Sequence, residues 1–275
     1  MQCLTEIQLQ TVCATYAHRV VTRPLLEILL ADGRSTGAWT QHLARLETRG
    51  MLERVRYGQG PIWIVTEKGA ATAEASGRVP VRAWRPGDGI KNAPAHTLHA
   101  NTVGSLFLID SRRHDDECDE AGWEHEILHR NGKERIITDM RLEYTRIRMK
   151  RVVTWTLLVE IDCGTRKITD LYRQVQTYAR LQAKRPAWAR FYRTWPRVLI
   201  VLTQPRRGLD RARRLRELCA ADDEIGPETR AAITTMDLMT RDGPLAEIWL
   251  PLGAPALSPA VALDDLRSVR RQEAS

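Results

Sequence analysis

Glu160 and Asp162 close an apolar strand, LLVEID, and a turn at Gly164 leads into a helical segment carrying Gln174 and Tyr178. Side chains two apart on a strand share a face, and side chains four apart on a helix share one too. Crowded carboxylates at a buried strand end repel one another and desolvate poorly, so they commonly serve to hold a cation. Oxygen ligands with open positions suit Mg²⁺ or Mn²⁺, which would polarise a phosphodiester and activate water. A third carboxylate joins them if strands 136–146 and 152–162 pair through the tip IRMKR. A turn centred near Met149 sets Glu160 across from about Thr138, beside Asp139. The expected metal ligands are therefore Asp139, Glu160 and Asp162, with Gln174 and Tyr178 lining the site. The competing reading makes Glu160 and Asp162 strand-end residues paired with Arg166, Lys167 or Arg173, with no metal.

The elements that must position these groups follow from periodicity. HTLHANTVGSLFLIDSRRH reads as a helix, GWEHEILHRN and ERIITDMRLEYTRI as strands, and RVVTWTLLVEID as a third strand. A helix from about Lys167 to Ala183, a buried strand PRVLIVLTQ and an amphipathic helix LDRARRLRELCA complete a mixed α/β domain around a small sheet. His96 and His99 are spaced for one helix face and are expected to pack. His125 and His129 share a strand face without completing a metal site.

The N-terminal third has a different order. Leu4, Ile7, Val12 and Tyr16 mark a first helix, with Thr5 and Gln8 spaced as a capping box. TRPLLEILLADG gives a second, and STGAWTQHLARLETRG a third that turns Trp39, Leu43 and Leu46 inward. Two short strands around Gly58–Gly60 and a Gly-started helix follow. Three helices and a Gly-tipped hairpin are the order of a winged helix-turn-helix, which puts its third helix in the DNA major groove. Arg34, Thr36, Thr40, Gln41 and Arg45 are the expected contacts on that helix, with Arg54, Arg56 and Tyr57 on the wing. The same module can instead serve protein contacts or dimerisation.

A net charge of +8 favours a polyanionic partner, nucleic acid above all, although an Arg-rich proteome gives a similar excess. With the winged-helix order the expected partner is double-stranded DNA. No apolar run has the length of a membrane helix, and MQCLTEIQLQ lacks the plan of a signal peptide, so a cytoplasmic location is expected. The cysteines at 3, 13, 118, 163 and 219 form no CxxC pair and read as reduced thiols. GDGIKN lacks the spacing of a phosphate loop, and no small-molecule cofactor is evident. The expected organisation is a winged helix over 1–79, a basic linker over 80–95, an α/β domain over 96–253 and a flexible tail over 254–275. The acidic run DDECDE reads as a solvated loop.

An Asp on one strand, then Glu-x-(Lys or a substitute) on the next, then a helix, resembles the PD-(D/E)xK nuclease fold. QVQTY at 174–178 looks like the QxxxY motif of its RecB-type members. Asp162 stands where that family's catalytic Lys belongs, and Lys167 or Arg173 is the candidate substitute. Over nearly the whole chain, the winged helix, HTLHAN, ITDMRLEY, LLVEIDCGT, the Tyr178 helix, PRVLIVLT and GPLAEIWLPLG together resemble the replication-relaxation family of plasmids and integrative elements. That resemblance implies a DNA-binding protein of a mobile element with a restriction-endonuclease-like second domain, acting in plasmid replication or mobilisation. Metal-dependent cleavage is the leading chemistry. The alternatives are a catalytically silent regulator, in which the second domain mediates homodimerisation or DNA contact, and a nicking relaxase with Tyr144, Tyr172 or Tyr178 as nucleophile.

Overall fold

A computed structural model describes the chain apart from residues 1–2, 59, 82–83, 85, 87–93, 119–122, 132–133, 150, 190, 206, 227 and 267–275. Most of the expected linker over 80–95 lies outside the described residues. The chain is mixed α/β and divides into two compact units, Met1–Leu108 and Ile109–Ser275.

In the first unit, α1 (Glu6–His18), α2 (Arg23–Leu30) and α3 (Thr36–Thr48) each start where a side chain satisfies a free amide. Gln8 Oε1 accepts from Thr5 N at 3.0 Å, Thr22 Oγ1 from Leu25 N at 3.3 Å, and Ser35 Oγ from Ala38 N at 3.3 Å. Trp39, Leu43 and Leu46 are buried, as their spacing predicts. The strands β1 (Leu52–Tyr57) and β2 (Gly60–Val65) form an antiparallel hairpin with Tyr57 paired to Gly60. This is the winged helix-turn-helix order.

The helix after the wing, α4 (Glu67–Ala75), starts at the cap Thr66, not at a glycine. Gly69 is there for space: a Cβ on it would stand 2.0 Å from the Met51 carbonyl oxygen. Gly69→Ala should therefore cost about 3 kcal/mol, the upper end of overpacking, read as a lower urea midpoint. The long helix α5 (Pro94–His114) contains the unit boundary. Its Asn101 is buried and donates Nδ2 to the His18 and Val20 carbonyls at 3.0 and 2.8 Å, which ties this helix to the end of α1. His96 and His99 are half-buried on this helix.

The second unit is built on a mixed sheet of β3 (Glu117–Cys118), β4 (Glu124–Asn131), β5 (Glu134–Arg148), β6 (Arg151–Asp162), β7 (Arg197–Leu202), β8 (Ala231–Thr235) and β9 (Leu250–Pro251). The order is β3-β5-β6-β7-β8-β9, with β4 also on β5. The β6-β7-β8 core is parallel. Parallel neighbours need crossovers, here the helices α6 (Ile168–Ala183) and α8 (Gly208–Ala220), with the short α7 (Arg185–Trp188) after α6. Leu171, Val175 and Tyr178 of α6 and Ala212, Leu215 and Cys219 of α8 pack on Leu158, Ile200 and Ile233 of the sheet. The helix α9 (Met236–Asp242) follows β8 directly.

Three further expectations change. Arg148 pairs with Arg151, so the hairpin closes through a two-residue turn with Met149 at φ 46°, and Met140 pairs with Val159. The register is one residue off the expected one and brings Glu160 level with Asp139 rather than Thr138. DDECDE is not simply a solvated loop, because Asp116 is buried and accepts from Tyr144 Oη, Ile147 N and Arg148 Nη1 at 2.8 to 2.9 Å. The tail is attached as far as Leu266: Val261 bridges to Trp249, and Leu263 and Leu266 are buried. Arg216 also donates to the carbonyls of Pro255 and Ser258.

Candidate functional site

The second unit gathers its polar groups at the carboxyl end of β6, where parallel α/β sheets commonly place ligands. Gly164, at φ 77°, turns the chain there, and a Cβ on it would collide with the Gln204 side chain. Glu160 is 0% exposed and Asp162 1%. Beyond Met140, β5 leaves the ladder, and the Asp139 carboxylate replaces the lost acceptor, taking the Ile161 amide at 2.7 Å.

Glu160 accepts from Tyr178 Oη, which also meets Thr138 Oγ1 at 2.6 Å. Thr138 reaches His129 Nδ1 at 3.3 Å, and His129 Nε2 meets Tyr192 Oη at 2.7 Å. With the imidazole proton on Nδ1 the chain runs head to tail. Tyr192 donates to His129, His129 to Thr138, Thr138 to Tyr178 and Tyr178 to Glu160. Burial, then the Arg141 cation, lowers His129 to about 4, so the ring is neutral at physiological pH. Burial and the neighbouring Asp139 push the Glu160 carboxyl well up, against the opposing bond from Tyr178. The sequence singled out neither Thr138 nor Tyr192, and it left His129 without a role.

Asp162 is compensated differently. Its Oδ2 accepts from Arg211 of α8 at 2.6 and 3.1 Å, while Arg166 Nε stands 3.8 Å from Oδ1. Arg166 further donates to Gln174 Oε1 at 3.0 Å and to the Ile161 carbonyl at 3.2 Å. Lys167 is exposed at the N-cap of α6, and the exposed Arg173 pairs with Asp170. The basic groups at the site are thus Arg166 and Arg211, not Lys167 or Arg173. Among the described residues no group of three or more His, Cys, Asp or Glu side chains is placed to hold a metal ion. The expected trio divides, with Asp162 held by arginines while Asp139 and Glu160 remain together. Asp139 and Glu160 stand close enough to share a hydrogen bond, which requires a proton on one of them, and a buried carboxylate pair also suits a hard divalent cation.

None of the candidate nucleophilic tyrosines is activated. Tyr144 donates to Asp116, Tyr172 to Asp222 and Tyr178 to Glu160. Each phenol is pushed above its ordinary value, Tyr144 and Tyr178 chiefly by burial and Tyr172, to about 12, chiefly by its bond to Asp222. Tyr178→Phe should cost about 1–3 kcal/mol in urea unfolding, since it strips a buried carboxylate and a buried hydroxyl of a partner at once.

In the first unit, Thr36, Thr40, Gln41 and Arg45 are exposed on α3, and Arg54, Arg56 and Tyr57 on the wing. Arg34 is committed locally, ion-paired with Asp32 and 3.3 Å from His42 Nδ1. With Arg34 donating, His42 presents Nε2–H to Thr11 Oγ1 at 2.8 Å, and Thr11 donates to the Ile7 carbonyl at 2.7 Å, which ties α3 to α1. A cavity of about 500 Å³ lined by Arg54, Arg56, Gly58, Gly60 and Pro61 opens beside the wing.

One solved structure shares a likeness with part of the chain, the oxidized form of MarR from E. coli. It is 24% identical over 35% of this chain and 69% of that one, with a TM-score of 0.25, too low to carry an argument. No curated protein matches. No helix among the described residues is long and apolar enough to cross a membrane. Residues 14–198, which take in α2, α3, the wing and the Asp139, Glu160 and Tyr178 cluster, match the replication-relaxation family, and the chain belongs to it.

Proposed function

We propose that this chain is a DNA-binding protein of a mobile genetic element, acting in its replication or mobilisation. In this reading the winged helix engages double-stranded DNA, and the second unit is nuclease-like with Asp139 and Glu160 as its cation site. Glu160 carries the reading: a carboxylate with no exposure, beside a second carboxylate, needs a proton or a cation between them. Asp139 and Glu160 would hold Mg²⁺ or Mn²⁺, which supplies Lewis acidity toward a phosphodiester and a more acidic bound water. Tyr178 fixes one Glu160 oxygen, and Thr138 and His129 fix Tyr178. Arg166 is 36% exposed and can present its guanidinium to a phosphate oxygen, the task of the missing Lys. Arg211 balances Asp162, which would leave a cation to Asp139 and Glu160.

The test is supercoiled plasmid with Mg²⁺ or Mn²⁺, beside Glu160→Gln and Asp139→Asn. Nicking by the parent and by neither variant is the expected result. A second reading, a regulator without chemistry, draws on the arginines: Arg166 already fills a spot lined by Ile161 O, Gln174 Oε1 and Asp162 Oδ1. Intact plasmid with full gel-shift binding in all three proteins would decide for it. A covalent protein–DNA adduct would instead mark a tyrosine relaxase.

A further inference from the structure

At the opposite end of β6 from Asp162 lies a second cavity of about 530 Å³, which no part of the proposed chemistry uses. Arg146 and Arg148 line it from β5, Arg151, Val153 and Trp155 from β6, and Arg197 from the start of β7. Asp264 and Asp265 close it from a short 3₁₀ turn, Leu263–Asp265. Arg197 stacks over the Trp155 ring at 4.2 Å, and Trp155 stacks in turn on Tyr144. Arg146 pairs with Asp264, and its Nε is buried without a hydrogen bond. Arg148 donates to the buried Asp116 at 2.8 Å, while Arg151 is exposed.

We infer that this arginine-lined cavity is a second DNA-backbone site, taking a phosphodiester where the Asp264–Asp265 turn now sits. The inference rests on the reading that the chain acts on DNA. Four guanidinium groups face three carboxylates here, those of Asp116, Asp264 and Asp265, so a positive surplus remains even with the turn in place. Guanidinium forks bind carboxylate and phosphate with the same two-oxygen geometry, which makes the acidic turn an internal stand-in for the ligand. Stacking on Trp155 holds the Arg197 plane at one orientation. The Asp264 side chain is 41% exposed, so its carboxylate can swing out and give up its place while Leu263 and Leu266 stay buried. Trp155 and Asp162 are seven apart on β6, so their side chains point to opposite faces of the sheet, and the cavity is a backbone contact separate from the cation site.

The proteins to compare are the parent, Asp264→Asn/Asp265→Asn and Arg151→Glu, each matched for thermal midpoint. Each is titrated with a fluorescent duplex of about 20 base pairs at about 50 and 200 mM salt, and each is given supercoiled plasmid with Mg²⁺. Removing the acidic turn's charge should tighten binding about three- to tenfold. Arg151→Glu should weaken it and lower the salt slope by about one. Equal affinities and slopes in all three would overturn the cavity as a DNA site while leaving the cation site to the nicking result. Absence of DNA binding by all three would overturn both. The expected affinity changes without nicking would support the cavity and remove only the cation reading.

Discussion

Glu160→Gln is expected to give a protein that binds DNA as before, no longer nicks plasmid, and gains stability above neutral pH in EDTA. Glu160 has no exposed surface, and burial together with Asp139 raises its carboxyl well above 4.5. The folded protein therefore holds this proton more tightly than the unfolded chain does. The stability linked to it is full below the unfolded value of 4.5 and is lost as pH rises toward the folded value. A single proton gives a slope of at most about 1.4 kcal/mol per pH unit. Gln carries no such slope and still accepts from Tyr178. Urea unfolding at about pH 5 and pH 8 should show the parent losing more stability than the variant across that interval. Mg²⁺ should stabilise the parent alone, because a cation held only by the folded state adds to its stability. Identical pH and Mg²⁺ responses in the two proteins would sink the cation site.

Arg211→Met should cost about 3–5 kcal/mol, because it leaves Asp162, 1% exposed, short of its main counter-charge. The lower end applies, since Arg166 stands 3.8 Å away and recovers part of the loss. The double variant Asp162→Asn/Arg211→Met should regain most of the stability, as removing both charges costs far less than orphaning one. A fall of less than about 1 kcal/mol in the single variant would mean that Asp162 reaches water or another cation in solution.

Strand β6 and helix α6 are legible in the sequence because an apolar run, a Gly turn and a helical repeat each satisfy one local rule, and local rules survive folding. The carboxylate cluster is half legible. Glu160 and Asp162 follow from a period of two, whereas Asp139 depends on register, and although IRMKR places the turn near Met149 it does not fix the turn's centre to better than one residue of register. Arg211 is hidden for another reason. It lies 49 residues from Asp162, on a helix whose arginines at 211, 213, 214 and 216 look alike. The rotation of α8 decides among them: Arg213 and Arg214 are 74% and 63% exposed, while Arg211 turns inward at 19%. Thr138, His129 and Tyr192 likewise sit at ordinary core positions, and only the departure of β5 from the ladder at Asp139 brings Thr138 to Tyr178. In the first unit the caps, the hairpin and the buried Trp39, Leu43 and Leu46 are read directly, because each follows from a local rule of capping, turn chemistry or helical spacing.

The β5–β6 hairpin has a kinetic consequence. Its strands meet across a two-residue turn and can zip within about 1–10 μs, whereas β7 and β8 wait for their crossover helices to close. Until α6 and α8 dock, Glu160 and Asp162 stand on an open sheet face, fully hydrated and without cost to the chain. The energetic penalty of burying them is therefore expected to fall late in folding. Arg211→Met should consequently speed unfolding while leaving the refolding rate nearly unchanged. That outcome would make the charged end of the sheet a determinant of how long the native state lasts rather than of how fast it forms.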